Sequence, residues 1–407
     1  MMGHELVKLL HFFMDADTKN LLHAPHCHAV YFPITFPAMI KALDLWLPAY
    51  LSRPRRRPAA EGVTHILLCV CDHFEPFHHA DKTEAMARMA LWKQKWPRLI
   101  EEFTDADGCH PRHTFFYPIE QYDADVIAEL ADLCRLSGGE TEIHLHHRDD
   151  TAETLRAKLE RGKEDFLRHN LLNRDERGAV RYGFIHGNWA LDNSHPEGRA
   201  CGVSNELGIL KATGCYADFT LPSAPCRTQT RTINSLYYAQ DTPEPKSHDT
   251  GVPSRLRSQS NGQPLPHADA VDSLLLVQGP LGLNWERRKF GFLPRIENAD
   301  LTGANPPTPD RMRLWLRLNI HVQGRPDWLF IKLHTHGAIP RNSGMFLGEP
   351  MRQFHRHLMY NYKDTSRFHL HYVTAREMVN ILHAAEDGRD GDPGQYRHYR
   401  FRSLIQQ

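Results

Sequence analysis

From residue 64 onwards, short apolar runs that end abruptly in polar residues alternate with stretches of helical spacing. THILLCVCD (64–72) is a mostly apolar run, β-branched at its start, and predicts a buried strand. Residues 81–104 place Met86, Met89, Leu91, Trp92, Trp96 and Leu99 on one broad helical face, with Pro97 set to kink or end the helix. HTFFYPI (113–119) predicts a second strand, and DADVIAELADLCRLSG (123–138) a helix capped by Asp123 and closed by Gly138. TEIHLHH (141–147) predicts a third strand and TAETLRAKLERGKEDFLRHN (151–170) the helix after it. Strand-like RYGFIHGNW (181–189), helical NELGILKATG (205–214) and strand-like CYADFTLP (215–222) follow. SLLLVQG (273–279) and WLFIKLH (328–334) predict strands, with a helix at 309–320 between them. Residues 241–270, rich in Pro, Ser and Gly, and residues 298–310 predict loops inside the domain. HYVTAREMVNILHAAEDG (371–388) predicts the last helix, with Thr374 as cap, Glu377 three residues on and Gly388 as its stop. This rhythm argues for parallel strands covered by helices. The 407 residues fit one α/β barrel with insertions as well as two or three domains.

Before residue 64 the pattern differs. Residues 29–51 are apolar over a length that could span a bilayer, but Pro33, Pro37, Pro48, Lys41 and Asp44 make a spanning helix costly. Arg53, Arg55, Arg56 and Arg57 follow at once. Two readings remain for 29–57: a segment docked on the main domain, or peripheral contact with an anionic membrane surface. No secretory signal is read at the N-terminus, so a cytoplasmic location is expected.

Composition narrows the chemistry. Lys and Arg number 49, as do Asp and Glu, and this balance removes the general attraction for phosphate that a nucleic-acid partner would need. The eight cysteines include no Cys-x-x-Cys pair, and with no secretory signal they are expected to be reduced. Histidine is in excess, at 28 residues. It is the commonest metal ligand and titrates near neutrality, so metal or acid–base chemistry is indicated wherever the histidines gather.

They gather where predicted strands end, which in α/β barrels is where chemistry sits. The ends read CDHFEP (71–76), HLHHRDD (144–150), IHGNW (185–189), YADFT (216–220) and KLHTHG (332–337). Strand alternation puts His144 and His146 on one face and His147 on the other. His146, Asp150 at the start of the following helix and Asp72 would suit a zinc-type ion with open positions. Without an ion, Asp149 or Asp150 merely caps that helix and a histidine is ordinary core. Asp72 is a candidate ligand or general base, with His73 and Glu75 as alternatives within reach. His334 suits a general acid, and His336 would face the same way. Trp189, Tyr216 and Asn188 could line a sugar site, and the SHD run at 247–249 could touch substrate. Asp72, Glu75, Asp150 and Asp218 also leave open a glycoside hydrolase with paired carboxylates. A glycan-binding protein without catalysis is a third reading.

CVCDHF, HTFFYP, EIHLHHRDD and KLHTHG occur in an order that resembles the polysaccharide deacetylase superfamily (NodB-like, carbohydrate esterase family 4) over residues 64–337. The resemblance implies a deformed (β/α) barrel, here with an N-terminal helical extension and long loop insertions. It implies an extension at 1–60, a barrel at 61–390 and a tail at 391–407. It also implies a divalent metal, usually zinc, and removal of acetyl groups from an acetylated polysaccharide or oligosaccharide. By position, Asp72 matches the family's catalytic base, His73 and Asp150 stand where two metal ligands would be, His146 matches a ligand histidine and His334 the general acid. His186 and Asn188 occupy the neighbourhood of the arginine motif, and Asp218 answers to a later acidic one. With Trp189 and His336, these complete the expected substrate contacts.

Overall fold

The computed structural model describes residues 40–53, 62–257 and 273–405. Helix α1 (Leu43–Ser52) precedes strand β1 (Thr64–His73) and α2 (Lys82–Ile100), then β2 (Thr114–Pro118), α3 (Ala124–Ser137), β3 (Glu140–Leu145) and α4 (Ala152–Leu167). Next come β4 (Asn173–Asp175), β5 (Val180–His186), α5 (Glu206–Ala212), β6 (Cys215–Asp218), β7 (Leu236–Gln240), β8 (Val252–Pro253) and β9 (Ser273–Val277). A hairpin of β10 (Gly282–Lys289) and β11 (Leu293–Glu297) leads to β12 (Asp300–Leu301), α6 (Pro309–Leu318) and β13 (Trp328–Thr335). The chain continues through α7 (Pro340–Phe346), α8 (Glu349–Tyr362), β14 (Phe368–Tyr372), α9 (Ala375–Glu386) and β15 (Phe401–Ser403).

The main sheet runs β12-β13-β1-β2-β3-β5-β6-β9-β7-β8. It is parallel from β12 to β9 and antiparallel at β9-β7-β8. Strand β1 takes β13 along one edge, while β14 (at 64–68) and β2 (at 71–73) share the other. The strand path is open, with no pairing between its ends β12 and β8 among the described residues. Single hydrogen bonds extend it instead. Leu256 N donates to Gln323 O and Gln323 N to Ser254 O, both at 2.9 Å, and Phe330 N of β13 donates to Ile320 O at 2.9 Å.

Strand alternation divides the core in two. Ile66, Leu68 and Val70 of β1 pack outward with Met89, Trp92 and Val126 of the covering helices. Leu67, Cys69 and Cys71 face inward with Phe116, Ile185, Leu275 and Phe330. Helix α9 packs on this inner face, and all twelve of its residues are buried. Its Arg376 pairs with Glu140 at the start of β3, so it sits towards the N-terminal ends of the strands and leaves their C-terminal ends open.

Most predicted elements form with ends moved by a few residues. Asp123 caps α3 by accepting from Asp125 N and Val126 N, and Gly138 at φ 65° closes it. Thr374 and Glu377 make the expected reciprocal cap on α9. The predicted last helix starts late, because 368–372 is strand β14 beside β1. Residues 391–405 pack on the domain, with β15 on β4. Of the apolar N-terminal segment, α1 buries Leu43, Trp46 and Leu47 against Ala224, Leu281 and Leu283, and Asp44 pairs with Arg227. Residues 29–39 and 54–57 lie outside the described residues. Among the described residues, no helix is long and apolar enough to cross a membrane. Seven of the cysteines are free thiols.

Candidate functional site

The strand parity that sorts the core also sorts the polar strand ends. His73, next in the inward series after Cys69 and Cys71, lies on the inner side, as does His144 of β3. His334 joins them from β13, where Trp328 and Phe330 already face inward. Their rings converge: His73 lies 4.8 Å from His144, 4.6 Å from His336 and 6.1 Å from His334, centroid to centroid. His146 follows His144 at 4.6 Å. Trp189 closes one side, 4.9 Å from His73 and 5.2 Å from His334.

Glu75 is the hub. His144 Nε2 lies 3.2 Å from Glu75 Oε1, and His146 Nε2 lies 3.6 Å from the same oxygen. Each ring is tied on its far side. His144 Nδ1 donates to Ile185 O at 3.0 Å, and His146 Nδ1 donates to Glu120 Oε1 at 2.7 Å. A carbonyl cannot donate, so in neutral His144 the lone pair sits on Nε2 and faces a carboxylate. Two nitrogen lone pairs and a carboxylate oxygen meeting at one point need a proton or a cation between them. Backbone or carboxylate ties on the distal nitrogen are what orient metal-binding histidines. His73 adds a second sign, because the ring is fully buried and neither of its nitrogens has a hydrogen-bond partner. The ligating atoms of Glu75, His144 and His146 lie within 4.8 Å of one another, and so do those of His73, Glu75 and His336. The residues therefore fit a divalent ion.

Electrostatics divide the cluster, favouring the form a metal needs at Glu75 and at the innermost rings but not at His146. Burial pushes the Glu75 carboxyl up, but His144, His336 and His146 outweigh it and hold it at about 2. Burial, then His336, His144 and His334, press His73 well below the usual imidazole value. His334 is lowered by burial, Lys332 and His336, and His336 chiefly by burial. An anionic carboxylate thus stands beside imidazoles pressed towards the neutral form at His73, His334 and His336, whereas at His146 burial is outweighed by Glu120 and Glu75, which raise the imidazole. His146, with 30% of its side chain exposed, marks the open side.

Several expected site residues lie elsewhere. Asp72 faces outward by the same parity, where Oδ2 meets His113 Nε2 at 2.8 Å and Oδ1 accepts from Gly337 N at 2.6 Å. Asp150 is held by Lys158 Nζ at 2.7 Å and by Thr154 Oγ1. It belongs with His147 (3.1 Å), not with His146, because His147 points to the opposite side of the strand end. His186, also of outward parity, stands beside His147. Asn188 ties its loop to the segment after β3 by donating to His147 O, and also donates to Ala200 O of its own loop. Asp218 accepts from Thr220, and burial pushes its carboxyl up to about 7. Tyr216 donates to Glu142 and stacks on Phe401. Ser247 of the SHD run bonds to Asp192. The carboxylates considered for a paired mechanism thus have separate partners. His144, which the sequence pattern places beside His146 without a role, is central, and Glu75 moves from alternative to hub. The available signal was their position on the strand that carries His146 and directly after β1.

No family model matches this chain. No curated protein matches it either. Among solved structures, the crystal structure of a "putative polysaccharide deacetylase from Mycobacterium smegmatis" is similar at a TM-score of 0.40 and 12% identity, over 83% of this chain and 96% of that one. Likeness at that distance assigns neither a site nor a reaction.

Proposed function

We propose that this protein is a metal-dependent hydrolase that removes acetyl groups from a carbohydrate, with Glu75, His144 and His146 as the ligands of a zinc-class ion. The observation that carries the reading is the meeting of two oriented histidine Nε2 atoms on one Glu75 oxygen. Two histidines and a carboxylate are a catalytic rather than a structural set, because they leave a position for water and substrate. A divalent ion there would supply Lewis acidity and a nucleophilic water at neutral pH.

The chain's own groups supply the rest. His336, lying side by side with His73, is placed to accept a proton and return it to a departing amine or sugar oxygen. His336 keeps partial exposure, whereas His334 is enclosed by Trp189 and His73. The acid role expected of His334 therefore passes to His336, with His334 backing it. Trp189 offers a ring face to a sugar. Asp72 acts at one remove, since its bond to Gly337 N fixes the turn after His336. The bridging bonds between 254–256 and 320–323 support a deformed barrel whose open mouth holds the site.

The test is acetate release from a panel of acetylated oligosaccharides, read together with metal content. Activity should vanish in a chelator, return with zinc, and fall at least ~100-fold in Glu75→Gln along with the loss of one bound ion. Full activity in chelator, or in Glu75→Gln, overturns the assignment. A protein that binds metal at Glu75 but hydrolyses no acetylated glycan would leave the centre standing and end the deacetylase reading.

A further inference from the structure

A second gathering of ligating side chains lies on the outward side of the same strand ends. His147 follows β3, His186 ends β5, Cys201 lies in the loop between β5 and α5, and Glu206 opens α5. All four are buried, and one ligating atom of each lies within 4.8 Å of the others. We propose that His147, His186, Cys201 and Glu206 hold a structural zinc-class ion, separate from the Glu75 centre.

The donor set argues for it. Two imidazoles, a thiolate and a carboxylate make a closed tetrahedral site with no position left for water, which is the structural and not the catalytic pattern. Bond lengths of about 2.0–2.3 Å put tetrahedral ligands roughly 3.3–3.8 Å apart, so little contraction is needed. The Glu206 carboxylate already divides itself: Oε1 stands 3.0 Å from His147 Nε2 and Oε2 stands 3.4 Å from Cys201 Sγ. His147 and His186 lie 4.5 Å apart, centroid to centroid. Behind His147, Asp150 Oδ2 lies 3.1 Å from Nδ1 without hydrogen-bond alignment and is itself gripped by Lys158, so a carboxylate stands close behind the ring.

A plain ion pair explains less. A proton shared by His147 and Glu206 would satisfy those two, but it leaves fully buried His186 with an Nε2 that has no partner. Cys201 Sγ meets Glu206 Oε2 and Val203 O, both at 3.4 Å, so the thiol already faces the carboxylate that would share the ion. The surroundings are fitted closely to the cysteine. Asp150 N donates to Cys201 O at 3.0 Å, and Gly202 at φ 95° has no room for a side chain, because a Cβ would lie 2.8 Å from Asp150 N.

The ion would pin the long connection from β5 to α5, which carries Trp189 over the Glu75 site. It would thereby hold one wall of the catalytic mouth. The assignment does not depend on the function of Glu75, since that cluster contains no cysteine.

Cobalt substitution separates the sites. In chelator-stripped protein refilled with Co(II), a sulfur-to-cobalt charge-transfer band in the near ultraviolet should appear. It should saturate with one equivalent bound, persist in Glu75→Gln and disappear in Cys201→Ser, which should bind one ion fewer. Absence of the band in the wild-type cobalt protein overturns the proposal, as does a band or full metal content retained in Cys201→Ser. Should Cys201→Ser not fold, alkylation of wild-type Cys201, mapped by mass spectrometry, gives the answer. Chelation should speed it at least ~10-fold, because a metal-bound thiolate is withheld from the alkylating agent. Equal rates with and without chelator overturn the site. Loss of acetate release in Glu75→Gln with the band intact would leave this ion in place whatever the fate of the other.

Discussion

Asp72 and His73 are neighbours in sequence and face opposite sides of one strand, and the difference decides what each does. Asp72 links His113 Nε2 to the Gly337 amide in a fully buried setting. Asp72→Asn keeps an acceptor for Gly337 but faces His113 with an amide. It should retain both metal content and KM while kcat falls by ~10-fold, a split that marks a positioning residue. Asp72→Ala strands the Gly337 N–H and should also cost about 1–3 kcal/mol in urea unfolding. Equal activity in Asp72→Asn and wild type would remove Asp72 from the machinery. Histidines and carboxylates crowding the strand ends were legible in the sequence. Which parity faces inward was not, because β1 is apolar on both sides and its letters look the same from either face. A helix-start aspartate also reads alike as ligand or as anchor, and only the turn of His147 away from His146 shows Asp150 to be the latter.

Elements, unlike side-chain directions, were mostly readable, because capping and termination are local chemistry. Asp123, Gly138, Thr374 and Glu377 act where the sequence placed them. What escaped depended on distant partners. FHLHY becomes β14 only because β1 offers it an edge. Helices α7 and α8, which start at Pro340 and Glu349, open on no strong apolar signal and have no counterpart in the predicted pattern. Helix α9 is buried all round, because the sheet covers one side and 396–401 the other. Its anchoring to β3 is electrostatic. Arg376 gives Nε and Nη2 to Glu140, and its Nη1 donates to the Arg397 and Phe401 carbonyls. Removing one partner of a buried pair leaves an uncompensated charge, so Arg376→Met should destabilise by about 3–5 kcal/mol in denaturant unfolding. The double variant Arg376→Met/Glu140→Gln should recover part of that loss, and an unrecovered loss would point to packing rather than charge.

At the scale of the whole molecule, the clusters proposed as metal centres lie at the C-terminal ends of the strands, while the N-terminal ends carry the His65, His371 and Asp392 group and an ion-pair lattice that ties the last residues of the chain to the domain. Asp107 is central to that lattice, accepting from His371 Nδ1 at 2.9 Å and from Arg397 Nη2 at 2.7 Å. Burial raises its carboxyl, but His371 and Arg397 prevail and hold it at about 2, against an ordinary 3.8. A folded value below the unfolded one means that the unfolded chain binds the extra proton in between. The stabilisation is therefore complete above the unfolded value and is lost as pH falls through about 2. A shift of that size corresponds to roughly 2 kcal/mol, which the residue's exposure to solvent screens to about 1 kcal/mol. Asp107→Asn should lose about that much stability at pH 7 and show a flatter acid limb between about pH 4 and pH 2, by urea unfolding across that range. Because the lattice lies at the far end from Glu75, the variant should keep its metal and its activity below the unfolding transition. Parallel stability curves for variant and wild type would show that Asp107 contributes shape rather than charge. A loss of bound metal would show that the two ends are coupled through the sheet.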